Sequence, residues 1–160
     1  MNMIDFRFPL RISDYFGLYR VSKLRNLSPN HYFAFQKYQG ELLCRFFLSR
    51  EIIISEKKLL DLGSGHGGYS SAFNASGAKV VSIDLYPNPN YKDVPKVSSN
   101  AMRLPFRNGE FEVIVCASLI EHVSKPEELL SEIIRVLADD GVVYLSFPPC
   151  YSPNGGHQFA

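Results

Sequence analysis

The stretch Asp61-Leu62-Gly63-Ser64-Gly65-His66-Gly67-Gly68 constrains this chain more than any other. It follows Leu59-Leu60-Asp61-Leu62, a short apolar run that reads as a buried strand, and it leads through Gly67 to Ser76, which reads as a turn into a helix. Glycines at such a junction let the backbone bend sharply and approach a ligand closely, while the helix amides behind them carry partial positive charge. An anionic group or a nucleotide is what such a loop holds. Lys79-Val80-Val81-Ser82-Ile83-Asp84 then reads as a second strand, so the loop lies inside a βαβ unit. Asp84 falls at the end of that strand, where a carboxylate can accept hydrogen bonds from two vicinal ribose hydroxyls.

The alternation continues. A Pro/Asn-rich loop (Pro87-Asn88-Pro89-Asn90) precedes a short strand at Lys96 to Ser99 and a strand at Glu112 to Ala117. Ser124-Lys125-Pro126-Glu127 fits a capping box, and Leu129, Leu130, Ile133, Ile134 and Leu137 then mark one helical face. Asp139-Asp140-Gly141 is expected to end that helix, with a last strand from Val142 to Phe147. Strands alternating with helices predict a doubly wound, Rossmann-like α/β fold with a mostly parallel sheet of about five strands.

Ahead of the sheet, Ser28-Pro29-Asn30 predicts a helix start, and Phe35, Tyr38, Leu42, Leu43, Phe46 and Phe47 recur on one face of the helix it opens. Gly40 within it costs about 1 kcal/mol relative to Ala. The chain is thus expected to divide into an N-terminal helical cap or substrate-side segment (1–58), a cofactor-binding core (59–147) and a C-terminal tail (148–160). Residues 1–58 carry ten Lys/Arg against five Asp/Glu, whereas residues 59–160 carry seven against eleven. Basic residues interleaved with aromatics suit either a core-facing helix or a nucleic-acid surface, and the periodicity favours the core.

Composition excludes several classes. With 160 residues, 46% of them hydrophobic, and a net charge of +1, the chain is not of the disordered type. No run approaches the ~18 apolar residues of a membrane span. Cys44, Cys116 and Cys150 are far apart, and neither C-x-x-C nor H-x-x-x-H spacing occurs, so no disulfide framework and no metal are expected. The N-terminus shows no basic segment followed by an apolar one, and a reducing, cytoplasmic setting is the expectation.

Gly63, Gly65 and Gly68 satisfy the dinucleotide fingerprint G-x-G-x-x-G, and the same stretch fits D-x-G-x-G-x-G, so the loop alone leaves two cofactor classes open. The sequence resembles the class I S-adenosylmethionine-dependent methyltransferases of the type 11-like branch. The likeness rests on the glycine segment, on Asn100-Ala101-Met102-Arg103-Leu104-Pro105-Phe106, on Ser118-Leu119-Ile120-Glu121-His122-Val123, and on Leu137-Ala138-Asp139-Asp140-Gly141-Val142, in that order. The resemblance implies S-adenosyl-L-methionine as cofactor. Gly63, Ser64, Gly65 and Gly67 would line its methionine and ribose, and Asp84 would take the ribose hydroxyls. Leu85 would pack on the adenine, Asn100 would accept from its amino group, and Ala101 and Met102 would supply an amide and an apolar wall. The ends of strand four, Cys116 and Ala117, would face the methionine, whose cationic amino group Asp61 can attract directly or through water, whereas an acid beside a pyrophosphate would repel it.

The expected reaction is methyl transfer to an acceptor such as a small molecule or a glycan-like hydroxyl, with a nucleic-acid or protein acceptor also open. His122, after strand four, is the candidate base, with His157 in the tail as a further candidate; His66 is expected to be exposed. The N/D-P-P-Y/F motif of nucleobase amino-methyltransferases is missing after strand four, where the chain reads Ala117-Ser118-Leu119-Ile120. The family's sheet usually ends in an antiparallel pair after strand five, which the thirteen residues beyond Phe147 cannot supply, so a truncated or fragmentary methyltransferase is expected, with strand five as an exposed edge. A NAD(P)-binding oxidoreductase and an inactive cofactor-binding or interaction domain stand as the other readings.

Overall fold

The computed structural model describes residues 11–89 and 93–148. Two helices, α1 (Ile12–Leu24) and α2 (Pro29–Ser49), precede β1 (Lys58–Leu62), α3 (Gly68–Ala75), β2 (Lys79–Asp84), β3 (Lys96–Ser98), β4 (Phe111–Ala117), a single 3-10 turn (Ile120–His122), α4 (Pro126–Val136) and β5 (Leu137–Ser146). The five strands form one sheet in the order β3-β2-β1-β4-β5, and every neighbouring pair is parallel. Between β1 and β4 the chain reverses its direction of travel across the sheet, and in such sheets ligands bind outside the carboxyl ends of the strands near this switch point.

The alternation of side chains along each strand divides the core. Leu59, Val80, Val113 and Val115 face α2 and α3 and pack with Leu43, Phe47, Ile54 and Phe73. Leu60, Leu62, Ile83, Ile114 and Cys116 face the other way, onto Leu129, Ile133 and Val136 of α4. The segment before residue 58 therefore shares the core of the sheet. α2 begins where the sequence predicts: the Ser28 hydroxyl accepts the His31 backbone N–H, and Pro29 takes the first turn.

Gly40 explains itself by position. A Cβ there would stand 2.8 Å from Cβ of Ala72 and 3.1 Å from Cα of Tyr69 on α3, and one at Gly68 would stand 2.5 Å from the Phe33 carbonyl oxygen and the Lys37 amide nitrogen on α2. The two helices approach through paired glycines, and the helix propensity lost at Gly40 is exchanged for close packing.

Three expectations need correction around α4. Lys125, not Ser124, is the N-cap, with no side-chain cap bond, so the capping box is not made. The buried face is Leu129, Ile133 and Val136, while Leu130 and Ile134 are exposed. The helix stops at Val136 rather than at Asp139-Asp140-Gly141, because Leu137 is already extended and pairs with Phe111; the strand then bulges before Val142 pairs with Val113. β5 is an edge strand without one fully buried residue, in keeping with the expected poor cover.

Gly40→Ala, which in an isolated helix stabilises by about 1 kcal/mol, is expected here to destabilise by ~1–3 kcal/mol through overpacking against α3; chemical denaturation of both proteins measures the sign.

Candidate functional site

The glycine loop is held by β2. The amides of Gly63 and Ser64 donate to the Ile83 carbonyl (2.8 and 3.0 Å), and the Gly67 amide donates to the Ser64 carbonyl (2.8 Å). Gly63, Gly65 and Gly67 all have positive φ (79°, 53° and 85°), a conformation that costs any other residue strain. Gly67 is the N-cap of α3. The Gly65 amide donates to Oδ2 of Asp84 (2.8 Å), and Oδ1 of the same carboxylate accepts the Tyr86 amide (2.9 Å). Each oxygen thus keeps a lone pair for a further donor.

Beside this carboxylate lies a cleft of about 600 Å³, lined by Gly65, His66, the Leu85 to Pro89 turn and Ser98. Ser98 Oγ donates to the Leu85 carbonyl (3.0 Å) and Lys96 Nζ to the Asn88 carbonyl (2.6 Å), so β3 pins the turn that forms its wall. Nothing in the composition of Leu85 to Pro89 marks it as a wall; only the β2–β3 pairing brings it there. The geometry suits an adenosine-type ligand: a carboxylate with free lone pairs, a loop whose backbone is bared by glycines, the exposed side chain of Leu85, and a volume within the usual range for cofactor pockets.

Asp61 is closed off from the cleft. Its carboxylate accepts a hydrogen bond from the Ser70 hydroxyl on α3, which is in turn bonded to Ser82 Oγ on β2 (2.6 Å), and all three side chains are buried. Burial pushes the Asp61 carboxyl up to about 6, against the lowering effect of the Ser70 hydrogen bond. Cys116 is buried at the end of β4, its thiol raised to about 12 by burial and then by Glu121 and Asp61, which makes it a packed residue and a poor nucleophile. Asn100 spends its side-chain oxygen on the Met102 amide (2.9 Å), an Asx turn that leaves one lone pair. Ala101, Met102 and Ala117 are half-buried against the two cores. Of the residues expected to bind the cofactor, Gly65 and Leu85 line the cleft and Asp84 is bonded to Gly65 at its edge; Asp61, Gly63, Ser64, Gly67, Asn100, Ala101, Met102, Cys116 and Ala117 do not line it.

Three features escape the sequence reading. Gln36 of α2 is buried, and its Oε1 accepts the Gly68 amide (3.4 Å), so a residue from the cap steadies the start of α3. His66 is half-buried rather than exposed, its ring 5.1 Å from that of Tyr32, with Nδ1 buried and without a hydrogen-bond partner among the described residues. After β4, Ser118 has φ 54°, and the turn returns Leu119 onto the glycine loop, 3.1 Å from where a Cβ of Gly63 would lie. On that turn both carboxylate oxygens of Glu121 are buried without a hydrogen-bond partner among the described residues. His122 is exposed on the same turn, and His157 lies outside the described residues.

Residues 30–158 match the family described as Methyltransferase domain, and the chain belongs to that family. An uncharacterized methyltransferase of Mycobacterium marinum is 30% identical over 113 residues, which cover 66% of this chain and 44% of the relative, so the chain spans less than half that protein's length. Among solved structures, an S-adenosylmethionine-dependent methyltransferase from Archaeoglobus fulgidus superimposes with a TM-score of 0.55 at 18% identity, covering 68% of this chain and 53% of that one. The cyclase SpnF superimposes with a TM-score of 0.54 at 20% identity, covering 64% and 43%. At such identities these two show the fold alone. Fold and family together support S-adenosyl-L-methionine as the cofactor. Among the described residues, no helix is long and apolar enough to cross a membrane, and no three His, Cys, Asp or Glu side chains gather as a metal site would need.

Two substitutions report on the buried acids. The Asp61 carboxyl titrates at about 6 when folded against 3.8 as a reference, so the folded state binds this proton more tightly. Its ionisation then costs about 3 kcal/mol at neutral pH, a loss that sets in as pH rises above 3.8 and is complete above about 6. Relative to Asp61→Asn, which does not titrate, the unsubstituted chain is expected to lose stability through that window, measured by denaturation at a series of pH values. Glu121→Met, which replaces an unpaired buried carboxylate by an apolar side chain of similar length, is expected to stabilise the chain by ~1–3 kcal/mol in the same measurement.

Proposed function

We propose that this chain binds S-adenosyl-L-methionine across the carboxyl ends of β1, β2 and β4 and transfers its methyl group to a small acceptor, a hydroxyl-bearing or glycan-like molecule. The observation that carries the reading is the Asp84 carboxylate, oriented by the Gly65 and Tyr86 amides at the edge of the 600 Å³ cleft with lone pairs to spare. Asp84 takes the ribose hydroxyls, the backbone of Gly63, Ser64, Gly65 and Gly67 surrounds the ribose and methionine, and Leu85 packs on the adenine. Asn100 offers its remaining lone pair to the adenine amino group, with Ala101 and Met102 beside it. The methionine end lies toward Cys116 and Ala117, where the buried charge of Asp61 favours a cation.

The cofactor supplies an activated methyl group on a cationic sulfur. What remains for the protein is to align the acceptor in line with the breaking bond, to exclude water and, for a hydroxyl, to remove a proton. His122 and His157 are the histidines in reach of this role by sequence. Glu121 is a third candidate, because a carboxylate buried without a partner is satisfied once an acceptor O–H or N–H donates to it.

Titration calorimetry with S-adenosylmethionine, S-adenosylhomocysteine, NAD and NADP tests the cofactor assignment. Binding of the first two only is expected, and Asp84→Ala is expected to weaken it by roughly tenfold to a hundredfold, the usual worth of hydrogen bonds to a charged group. Binding of NAD or NADP instead would assign the site to a dinucleotide.

A further inference from the structure

Helix α1 presents one face to α2 and leaves the other uncovered by the described residues. The inward face is fixed by three contacts: Asp14 is buried and paired with Arg45 of α2 (2.7 Å), the Tyr38 hydroxyl donates to the Asp14 carbonyl (3.4 Å), and Gly17 lies so close to Tyr38 that a Cβ would meet its hydroxyl at 2.1 Å. The opposite face carries Ile12, Tyr15, Phe16 and Tyr19, at i, i+3, i+4 and i+7, and these side chains are 59–78% exposed. Continuous apolar faces of this kind mark a surface that is covered in use.

The charge around the stripe selects what covers it. Exposed Arg11, Arg20 and Lys23 accompany it, with the Lys23 ammonium 4.7 Å from the centre of the Tyr19 ring, while Arg25 turns inward onto the Phe35 ring of α2 (5.5 Å). The one acid of this segment, Asp14, is turned inward and neutralised by Arg45. A second copy of the same face would set cations against cations. Residues 149–160 contain no Asp or Glu, so they offer no complementary charge either. The aliphatic Ile12 and the ring of Phe16 add nothing to phosphate binding by a nucleic acid. Apolar and aromatic side chains in a stripe, with long cationic side chains beside them, match the boundary of a lipid layer that bears negative headgroups.

We infer that α1 docks this chain onto an anionic membrane surface, lying in the interface with the Ile12, Tyr15, Phe16 and Tyr19 face in the acyl boundary and Arg20 and Lys23 among the headgroups. The inference is independent of the methyl-transfer reading, since it uses no residue of the cleft.

Vesicle flotation of the whole chain tests it, with vesicles of phosphatidylcholine alone and of phosphatidylcholine mixed with phosphatidylglycerol. Association with the mixed vesicles, at least tenfold stronger than with phosphatidylcholine, is the expected result. Phe16→Ser with Tyr19→Ser, both at exposed positions and checked for an unchanged melting curve, is expected to reduce it tenfold or more; Arg20→Glu with Lys23→Glu is expected to abolish the preference for the anionic vesicles. Equal binding by the serine double variant would overturn the inference, since the apolar stripe would then be idle. So would failure to float with the mixed vesicles, a serine-sensitive dimer in analytical ultracentrifugation, or tighter serine-sensitive binding to single-stranded RNA.

Discussion

Asp61 lies inside the first βαβ unit, and a carboxylate is tolerated there only because the Ser70 hydroxyl donates to it while bonding Ser82 in turn. Three elements meet in that short chain of atoms: β1 supplies the acid, α3 the bridging hydroxyl and β2 the second serine. The arrangement fixes how α3 sits over the sheet, and with it the direction in which the loop from Gly63 to Gly67 leaves β1. It also keeps a negative charge beneath the loop at neutral pH, at a cost in stability that the surrounding packing offsets. Asp84, one strand away, is oriented by the Gly65 amide, whose position the loop determines, and by the Tyr86 amide that follows β2.

Around that unit the molecule is layered simply. α2 and α3 cover one side of the sheet and α4 the other, and the two cores alternate residue by residue along β1 and β4. Three uncompensated features lie at the carboxyl ends of the strands: the positive φ of Ser118 and, among the described residues, the unpartnered Nδ1 of His66 and oxygens of Glu121. Positive φ is not confined to that end, since Glu51 and Glu56 ahead of β1 share it, but the two unsatisfied side chains lie at the same end of the sheet as the cleft, where function can hold such groups.

The sheet was legible in the sequence because parallel strands buried on both faces are short apolar runs with little else to imitate them; β2 occupies the Lys79 to Asp84 range read from its residues, and β1 and β4 differ by a residue at one end. The βαβ glycine pattern and Asp84 were legible for the same reason, since their spacing is set by local geometry. What escaped depends on contacts between distant segments. Gln36 looks like any polar residue on an amphipathic helix until α2 is laid on the loop, and Glu121 looks like a surface acid until the turn at Ser118 folds it inward. Around α4, Ser124 and Gly141 carry the right residues for a cap and a stop, but pairing of Leu137 with Phe111 ends the helix sooner.

The paired glycines between α2 and α3 restrict how a ligand can arrive. With Gly68 pressed against the α2 backbone and Gly40 against Ala72, no slack exists for α2 to swing away from the loop, since separating them would open a void in the main core beside Leu43 and Phe47. α2 behaves as a fixed wall. The route into the cleft must then run past the turn from Leu85 to Pro89, which Lys96 and Ser98 of β3 hold by hydrogen bonds to its carbonyls. On the reading proposed above, with Asp84 on the ribose and Leu85 on the adenine, this turn is the side of the cleft that the base faces.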